Sequence, residues 1–370
     1  MWFTKHINQN TKIIMLFLVI GFLLVLATAS SLSEALALDK FQMPKLLMHL
    51  PIPSSTFQKS QASDITDRIA STPFTVLSGN NAFVVWEQFV VPGFHLPFIA
   101  LTKSSDGGSN FSKQVDISNS EPPNWPAIAV SGNDSYVVWH DANFLNPDID
   151  YSIFLSRSTD GGKNFSSPIN VSNNTQNQVS NLTENNMQET SNFPSIKISE
   201  SNLFVVWQDR INLANFTCTN QDNTTAHCIA YPVKPVKSSI FLSKSTDGGS
   251  NFSKPININT KTEPFHLPLL VFSRPDIAGS GNSVLVAWHQ EVSTGNTTSI
   301  FLSKSTDGGN NFSKPVDISN NTKYALNPRL AISGNNMYAA WERSYEANPI
   351  IKPDIFLSKS TDGGNNFSKP

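Results

Sequence analysis

The residues best placed to do chemistry are five aspartates in one repeated motif. Ser-x-Asp-Gly-Gly-x-Asn-Phe begins at Ser104, Ser158, Ser245, Ser305 and Ser360, and its aspartates are Asp106, Asp160, Asp247, Asp307 and Asp362. Carboxylates in a glycine-rich turn are candidates for catalysis or for calcium. Five equivalent copies at the rims of separate units cannot converge on one site, so they read as structural. Asp-Gly is a hairpin signal, because the turn needs residues tolerant of positive φ. The carboxylate can accept backbone N–H bonds across such a turn. The following Phe, as at Phe165, can bury its ring between sheets.

A second polar set follows five tryptophans. Short apolar runs such as Phe83-Val84-Val85-Trp86 end at Trp86, Trp139, Trp207, Trp288 and Trp341. Next come Glu87, His140 with Asp141, Gln208 with Asp209, His289 and Glu342. These are acid and base side chains opening loops at one end of each unit, where they could line a central channel. A polar residue that recurs in every copy is more simply a strand terminator or a hydrogen-bond partner of the neighbouring copy.

The elements that hold these residues come from a third motif. It opens on Pro and closes on a Ser-Gly-Asn-like turn, as in Pro126-Ala127-Ile128-Ala129-Val130-Ser131-Gly132-Asn133. One unit therefore predicts four strands, at Pro126–Ser131, Tyr136–Trp139, Ile153–Ser158 and Phe165–Val171. The runs are short, rich in Val, Ile, Phe and Trp, and bounded by Gly, Asn and Asp turns. No amphipathic helical stretch of useful length is present. Four strands repeated at roughly 55 residues predict an all-β chain, a β-propeller of four-stranded antiparallel blades with five blades visible.

The repeated Ser-x-Asp-Gly-Gly-x-x-Phe after an apolar strand resembles the Asp box, or bacterial neuraminidase repeat, of the sialidase-like β-propeller superfamily. The resemblance covers roughly residues 57–370. It implies the propeller fold, and Asp boxes also occur in propellers that are not sialidases. A sialidase would carry three arginines gripping a substrate carboxylate, a Tyr nucleophile assisted by Glu, and an Asp acid/base. Arg274 and Arg329 flank Pro275 and Pro328 at strand entrances, and Arg210 and Arg343 open loops. Tyr324, Tyr345, Glu342, Glu346, Asp141 and Asp209 fall on the same predicted face. None of them stands in a motif that matches the family's catalytic positions, and the family's Arg-Ile-Pro segment is absent. Surface or inter-blade ion pairing is the simpler expectation for the arginines.

Composition narrows the partners. The chain has 370 residues, 26 Lys+Arg against 28 Asp+Glu, and a net charge of −2. No basic excess exists to neutralise phosphates, so nucleic acid is not an expected partner. Charged residues are only 15%, and polarity is carried by Asn, Ser and Thr, with 39 Asn. No phosphate loop, zinc signature or nucleophile elbow is present, so neither cofactor nor metal is expected. Thirteen Asn-x-Ser/Thr sequons occur, and five of them, Asn110, Asn164, Asn251, Asn311 and Asn366, lie in the boxes. In an exported chain such sites can carry surface glycans.

The amino terminus carries a compartment signal. Lys5 and Lys12 precede an apolar run from Ile13 to Ala27, followed by Ala27-Thr28-Ala29. This predicts a secretory signal peptide over residues 1–29 or, if uncleaved, an N-terminal anchor, which would be the chain's one attachment to a membrane. Residues 30–53 read as a linker and residues 54–370 as the propeller. Of two long insertions, 173–192 is Asn-, Gln- and Thr-rich, and 208–237 holds Cys218 and Cys228. Outside the cell these two cysteines are expected to pair.

The last unit stops at Pro370 without the Val-Asp-Ile-Ser that completes the fourth at Val316–Ser319, while Ser63-Asp64-Ile65-Thr66 stands just before the first unit. Two readings stand: an amino-terminal strand completes the last blade and clasps the ring, or the sequence is cut from a longer propeller. The expected function is an exported, sialidase-like module that binds a glycan or a cell-surface protein. The alternatives are an exo-acting glycoside hydrolase of sialidase type and a structural surface protein.

Overall fold

The computed structural model describes residues 68–370, except 91–94, 119–122, 143–150, 173–186, 220–226, 235–237, 260–272, 293–296, 321, 323 and 344–353. The leader, the linker, Tyr345, Glu346 and the 63–66 segment lie outside the described residues. Residues 59–370 form one compact unit. No described helix is long and apolar enough to cross a membrane.

The described residues form five antiparallel blades. Blade one is β1 (Arg68–Ser78), β2 (Asn81–Val90), β3 (His95–Ser104) and β4 (Val115–Asp116). Blade two is β5 (Pro123–Ser131), β6 (Asp134–Ala142), β7 (Tyr151–Ser158) and β8 (Ile169–Asn170). Blade three is β9 (Met187–Ser199), β10 (Asn202–Thr219), β12 (Ser238–Ser245) and β13 (Ile256–Asn257), with β11 (His227–Lys234) paired to the extension of β10. Blade four is β14 (Asp276–Ser280), β15 (Ser283–Val292), β16 (Thr297–Ser305) and β17 (Val316–Asp317). Blade five is β18 (Ala325–Ser333), β19 (Asn336–Arg343) and β20 (Asp354–Ser360). A parallel bridge between Tyr151 and Thr190 joins blades two and three into one nine-stranded sheet.

The first strands β1, β5, β9, β14 and β18 contact one another in succession. The blades are thus ordered around their first strands, as a β-propeller requires, and the core lies between blades. Strand alternation explains this, because successive side chains point to opposite faces of a sheet. Tyr136 and Val138 pack with Trp207 of blade three, while Val137 and Trp139 pack with Phe83 and Val85 of blade one. Two further cores join blades three to four and four to five. Trp139, Trp207, Trp288 and Trp341 are at most 2% exposed, and each stacks on a Phe of the adjacent strand.

One expectation is revised in detail. The fourth strand is much shorter than Phe165–Val171: only Ile169 and Asn170 pair with β7. Phe165 leaves the ladder and packs its ring against the blade-one core. Within the 208–237 insertion β10 continues to Thr219, and β11 returns alongside it.

Candidate functional site

The box is a closed hydrogen-bond unit. In blade two, Ser158 Oγ accepts the Gly162 N–H at 2.9 Å and donates to Asp160 Oδ1 at 2.7 Å. Asp160 accepts the Asn164 backbone N–H at 3.0 Å and its side-chain amide at 2.7 Å. The other four copies repeat this pattern around Asp106, Asp247, Asp307 and Asp362. Donors that favour the charged carboxylate lower its pKa. The backbone N–H of Asn110, then its side-chain amide, hold Asp106 down to about 2, and Asn251 does the same for Asp247. Asp160, Asp307 and Asp362 are lowered further by the corresponding bonds. Every box carboxylate is therefore occupied by its own turn. The sequon residues Asn110, Asn164, Asn251, Asn311 and Asn366 are the same asparagines, so their amides are parts of the box.

A different set of residues converges at the start of the first strands. In blades one, two, three and five the ladder skips two residues, an X-Pro pair, opposite the Trp of the second strand. Proline has no N–H to give the ladder, so a bulge is where the sheet can hold it. The X residue takes positive φ in each case: Thr72 at 48°, Trp125 at 54°, Phe193 at 52° and Asn327 at 51°. Arg274 holds the same place before Pro275 in blade four. For a large side chain this backbone is strained by about 1–3 kcal/mol, and such outliers cluster at functional sites.

Trp125 and Phe193 at their bulges and Arg274 just before β14 come together from three blades. The Trp125 and Phe193 rings meet edge-on at 5.1 Å. The Arg274 guanidinium lies 4.1 Å from the Trp125 ring centre and 5.1 Å from that of Phe193. Burial lowers the Arg274 pKa; the nearby positive Arg329 adds to this, and Glu342 opposes it. Arg274, Arg329 and Glu342 thus share one electrostatic neighbourhood. Among the described residues, Arg274 makes no ion pair, whereas Arg329 reaches Asp276 at 3.9 Å. Asp276 sits in the blade-four strand and accepts Leu330 N–H at 2.7 Å and Ser195 Oγ–H at 3.1 Å. Burial raises its pKa against those bonds.

Two of the residues that follow a Trp bond to a bulge in the next blade. Glu87 accepts the Trp125 N–H at 3.0 Å, and His289 Nδ1 accepts the Asn327 N–H at 3.3 Å. Each bond crosses from one blade to the bulge of the next, which is the inter-blade role expected from their recurrence. His140, edge-on to Phe193 at 6.1 Å, is pushed by burial down to about 3 and stays neutral. Asp209 is 2% exposed and accepts from Ser191 at 2.5 Å and from the Trp207 indole at 2.7 Å. Asp141 is 7% exposed, paired in register with Pro123. Glu342 bonds the Asn327 amide.

Of the four candidate arginines, Arg274 and Arg329 influence one another electrostatically. Arg343 pairs with Asp354 and lies over Phe356 in its own blade. Arg210 is placed by its backbone opposite Thr190 and Ser238 in blade three. Tyr324 has φ of 60° just before β18. The aromatic partners Trp125 and Phe193 were not singled out from the sequence. The signal was there: each precedes the strand-opening Pro, the position that Arg274 also occupies. Residues 218 and 228 lie directly opposite each other in the β10–β11 ladder.

No family model matches the chain, and no curated protein is detectably similar. Among solved structures, the Hadza microbial sialidase Hz136 is 13% identical with a TM-score of 0.47, covering 80% of this chain and 57% of that one. The Trypanosoma rangeli sialidase in complex with DANA is 10% identical with a TM-score of 0.48, covering 80% and 47%. The polysaccharide lyase Uly1 is 10% identical with a TM-score of 0.49, covering 79% and 58%. The fold resembles that of these sialidases and lyases. The chain spans about half to three fifths of the length of these three structures.

Proposed function

We propose that this chain is an exported glycan-binding module, and that it binds acidic sugars at the Arg274–Trp125–Phe193 cluster. The observation that carries the reading is a half-buried guanidinium on two aromatic rings, with no carboxylate paired to it among the described residues. Such a group offers a planar fork of N–H donors suited to a sugar carboxylate. The ring edges beside it give apolar area for a sugar face. Arg329 adds positive charge to the same neighbourhood. In this reading residues 1–29 deliver the chain outside the cytoplasm, where it meets cell-surface glycans.

Binding rather than hydrolysis is favoured by where the carboxylates are. Asp209 is committed to Ser191 and Trp207, and Glu342 to Asn327, so neither is free to act as acid or base. The test is a panel of sialylated, uronate-containing and neutral oligosaccharides, with binding measured by calorimetry. Acidic members should bind, and Arg274→Ala should lose them. Equal binding of neutral sugars, or full binding by Arg274→Ala, would overturn the proposal. Turnover of a fluorogenic sialoside would instead establish the hydrolase alternative.

A further inference from the structure

The residue one past each strand-opening proline forms a row of its own. In blades three, four and five it is Ser195, Asp276 and Arg329, after Pro194, Pro275 and Pro328. These three are linked through one carboxylate. Ser195 donates its hydroxyl to Asp276 Oδ1 at 3.1 Å, and the Arg329 guanidinium stands 3.9 Å from the same oxygen. Asp276 Oδ2 accepts the Leu330 N–H at 2.7 Å. Asp276 thus holds a side chain of blade three and both side chain and backbone of blade five, and β14 packs against β9 and β18 alike.

Blades one and two have no such link. Their residues at this position are Phe74 and Ala127, and both pack in one apolar core. Apolar groups therefore suffice to hold a first strand in place. The Asp276 side chain is only 14% exposed. Taking a carboxylate out of water costs stability unless its partners offset it, and apolar residues of similar volume often serve as well. What the carboxylate adds over packing is a fixed geometry between the elements it bonds. Each bonded group adjoins a residue of the arginine–aromatic neighbourhood: Ser195 is two past Phe193, Asp276 is two past Arg274, and Leu330 follows Arg329.

We propose that Asp276 is a positioning residue: it fixes the strand entrances of blades three, four and five against one another, so that Arg274 meets Phe193 and Trp125 with Arg329 beside them. Its effect on sugar binding rests on the reading of that cluster as an acidic-sugar site, whereas its effect on the cluster's geometry does not. Two residues of extended chain, about 7 Å, separate the Asp276 anchor from Arg274. The bonds predict how variants differ. An asparagine keeps both contacts, its carbonyl oxygen accepting the Leu330 N–H and its amide donating to the Ser195 hydroxyl, which can accept as well as donate. An alanine keeps neither.

The test reads geometry and binding separately, by crystal structures of Asp276→Ala and Asp276→Asn and by calorimetry with sialylated and uronate-containing oligosaccharides. In Asp276→Ala the 4.1 Å contact of Arg274 with Trp125 should open beyond about 6 Å, the reach of a cation over a ring, and acidic-sugar affinity should fall about 10-fold. Asp276→Asn should keep the contact and bind within about threefold of the unsubstituted chain. Ser195→Ala removes one link only and stands in if Asp276→Ala does not fold; it should shift the contact in the same direction and weaken binding about threefold. An Arg274–Trp125 contact unmoved in Asp276→Ala, or in Ser195→Ala as its stand-in, would overturn the proposal whatever the affinity. Asp276→Asn failing as badly as Asp276→Ala would overturn it too. A contact that opens with no change in affinity, or in a chain that binds no acidic sugar, would instead overturn the binding-site reading and leave the positioning role standing.

Discussion

The Arg274 guanidinium lies 4.1 Å from the ring centre of Trp125, a residue two blades away in the chain. Both side chains stand immediately before a strand-opening proline, Trp125 at a bulge with φ of 54° and Arg274 just ahead of its strand. The pair therefore joins a strain in the backbone to a candidate binding surface.

Trp125→Gly separates those two roles. Glycine adopts φ of 54° without penalty, so the variant should fold at least as well at this bulge. It also removes the ring under Arg274, a contact of about 0.5–2 kcal/mol. Acidic-glycan affinity should then fall roughly 2- to 30-fold, while circular dichroism and the melting curve show a folded protein. Affinity unchanged in a folded Trp125→Gly would remove the ring from the site.

Ser158 is the buried centre of its box, 1% exposed, and holds the Gly162 N–H. Ser158→Ala leaves that donor unpaired and should cost about 1–3 kcal/mol in chemical denaturation. The bond sits at the blade rim, away from Arg274, so glycan binding by the folded fraction should be unchanged. Lost binding at unchanged stability would reverse the structural role of the box.

Acid should act through the five box aspartates. In the folded chain Asp106 and Asp247 are lowered from 3.8 to about 2, and the other three lie lower. The unfolded chain binds more protons in this range, so stability rises with pH there. The contribution is complete above about pH 4 and is lost as pH falls through about 2. Urea midpoints measured from pH 5 to pH 2 should decline progressively. A flat profile would show that the boxes do not hold their carboxylates charged.

The β10–β11 ladder places residues 218 and 228 opposite each other. Directly paired residues on antiparallel strands have Cα atoms about 4.5–5.5 Å apart, within the span a disulfide bridges. Mass spectrometry of unreduced protein recovered from outside the cell should find the Cys218 and Cys228 peptides linked. Finding both thiols free there would remove the bridge and weaken the case for export.

Repetition is what made this fold legible. The Gly-Gly turns, the apolar runs ending in Trp and the strand-opening prolines recur, and each imposes its conformation locally, so five blades could be read from their spacing. The short fourth strand was overestimated, because Phe165 has strand character in sequence but spends its ring on the neighbouring blade's core. The hairpin of β10 and β11 was hidden for a related reason: its residues carry no repeat signal.

The candidate site depended on tertiary structure. Sequence alone placed Arg274 and Arg329 at strand entrances and could not tell them from Arg343, which ends in an ion pair with Asp354. Nor did it separate Asp209, which is held by the Trp207 indole, from an available acid. Local patterns determine turns and strands because those forces act within a few residues. Which strand entrances face one another is set by the packing of whole blades, and that packing brings Trp125, Phe193 and Arg274 from three separate repeats into one cluster.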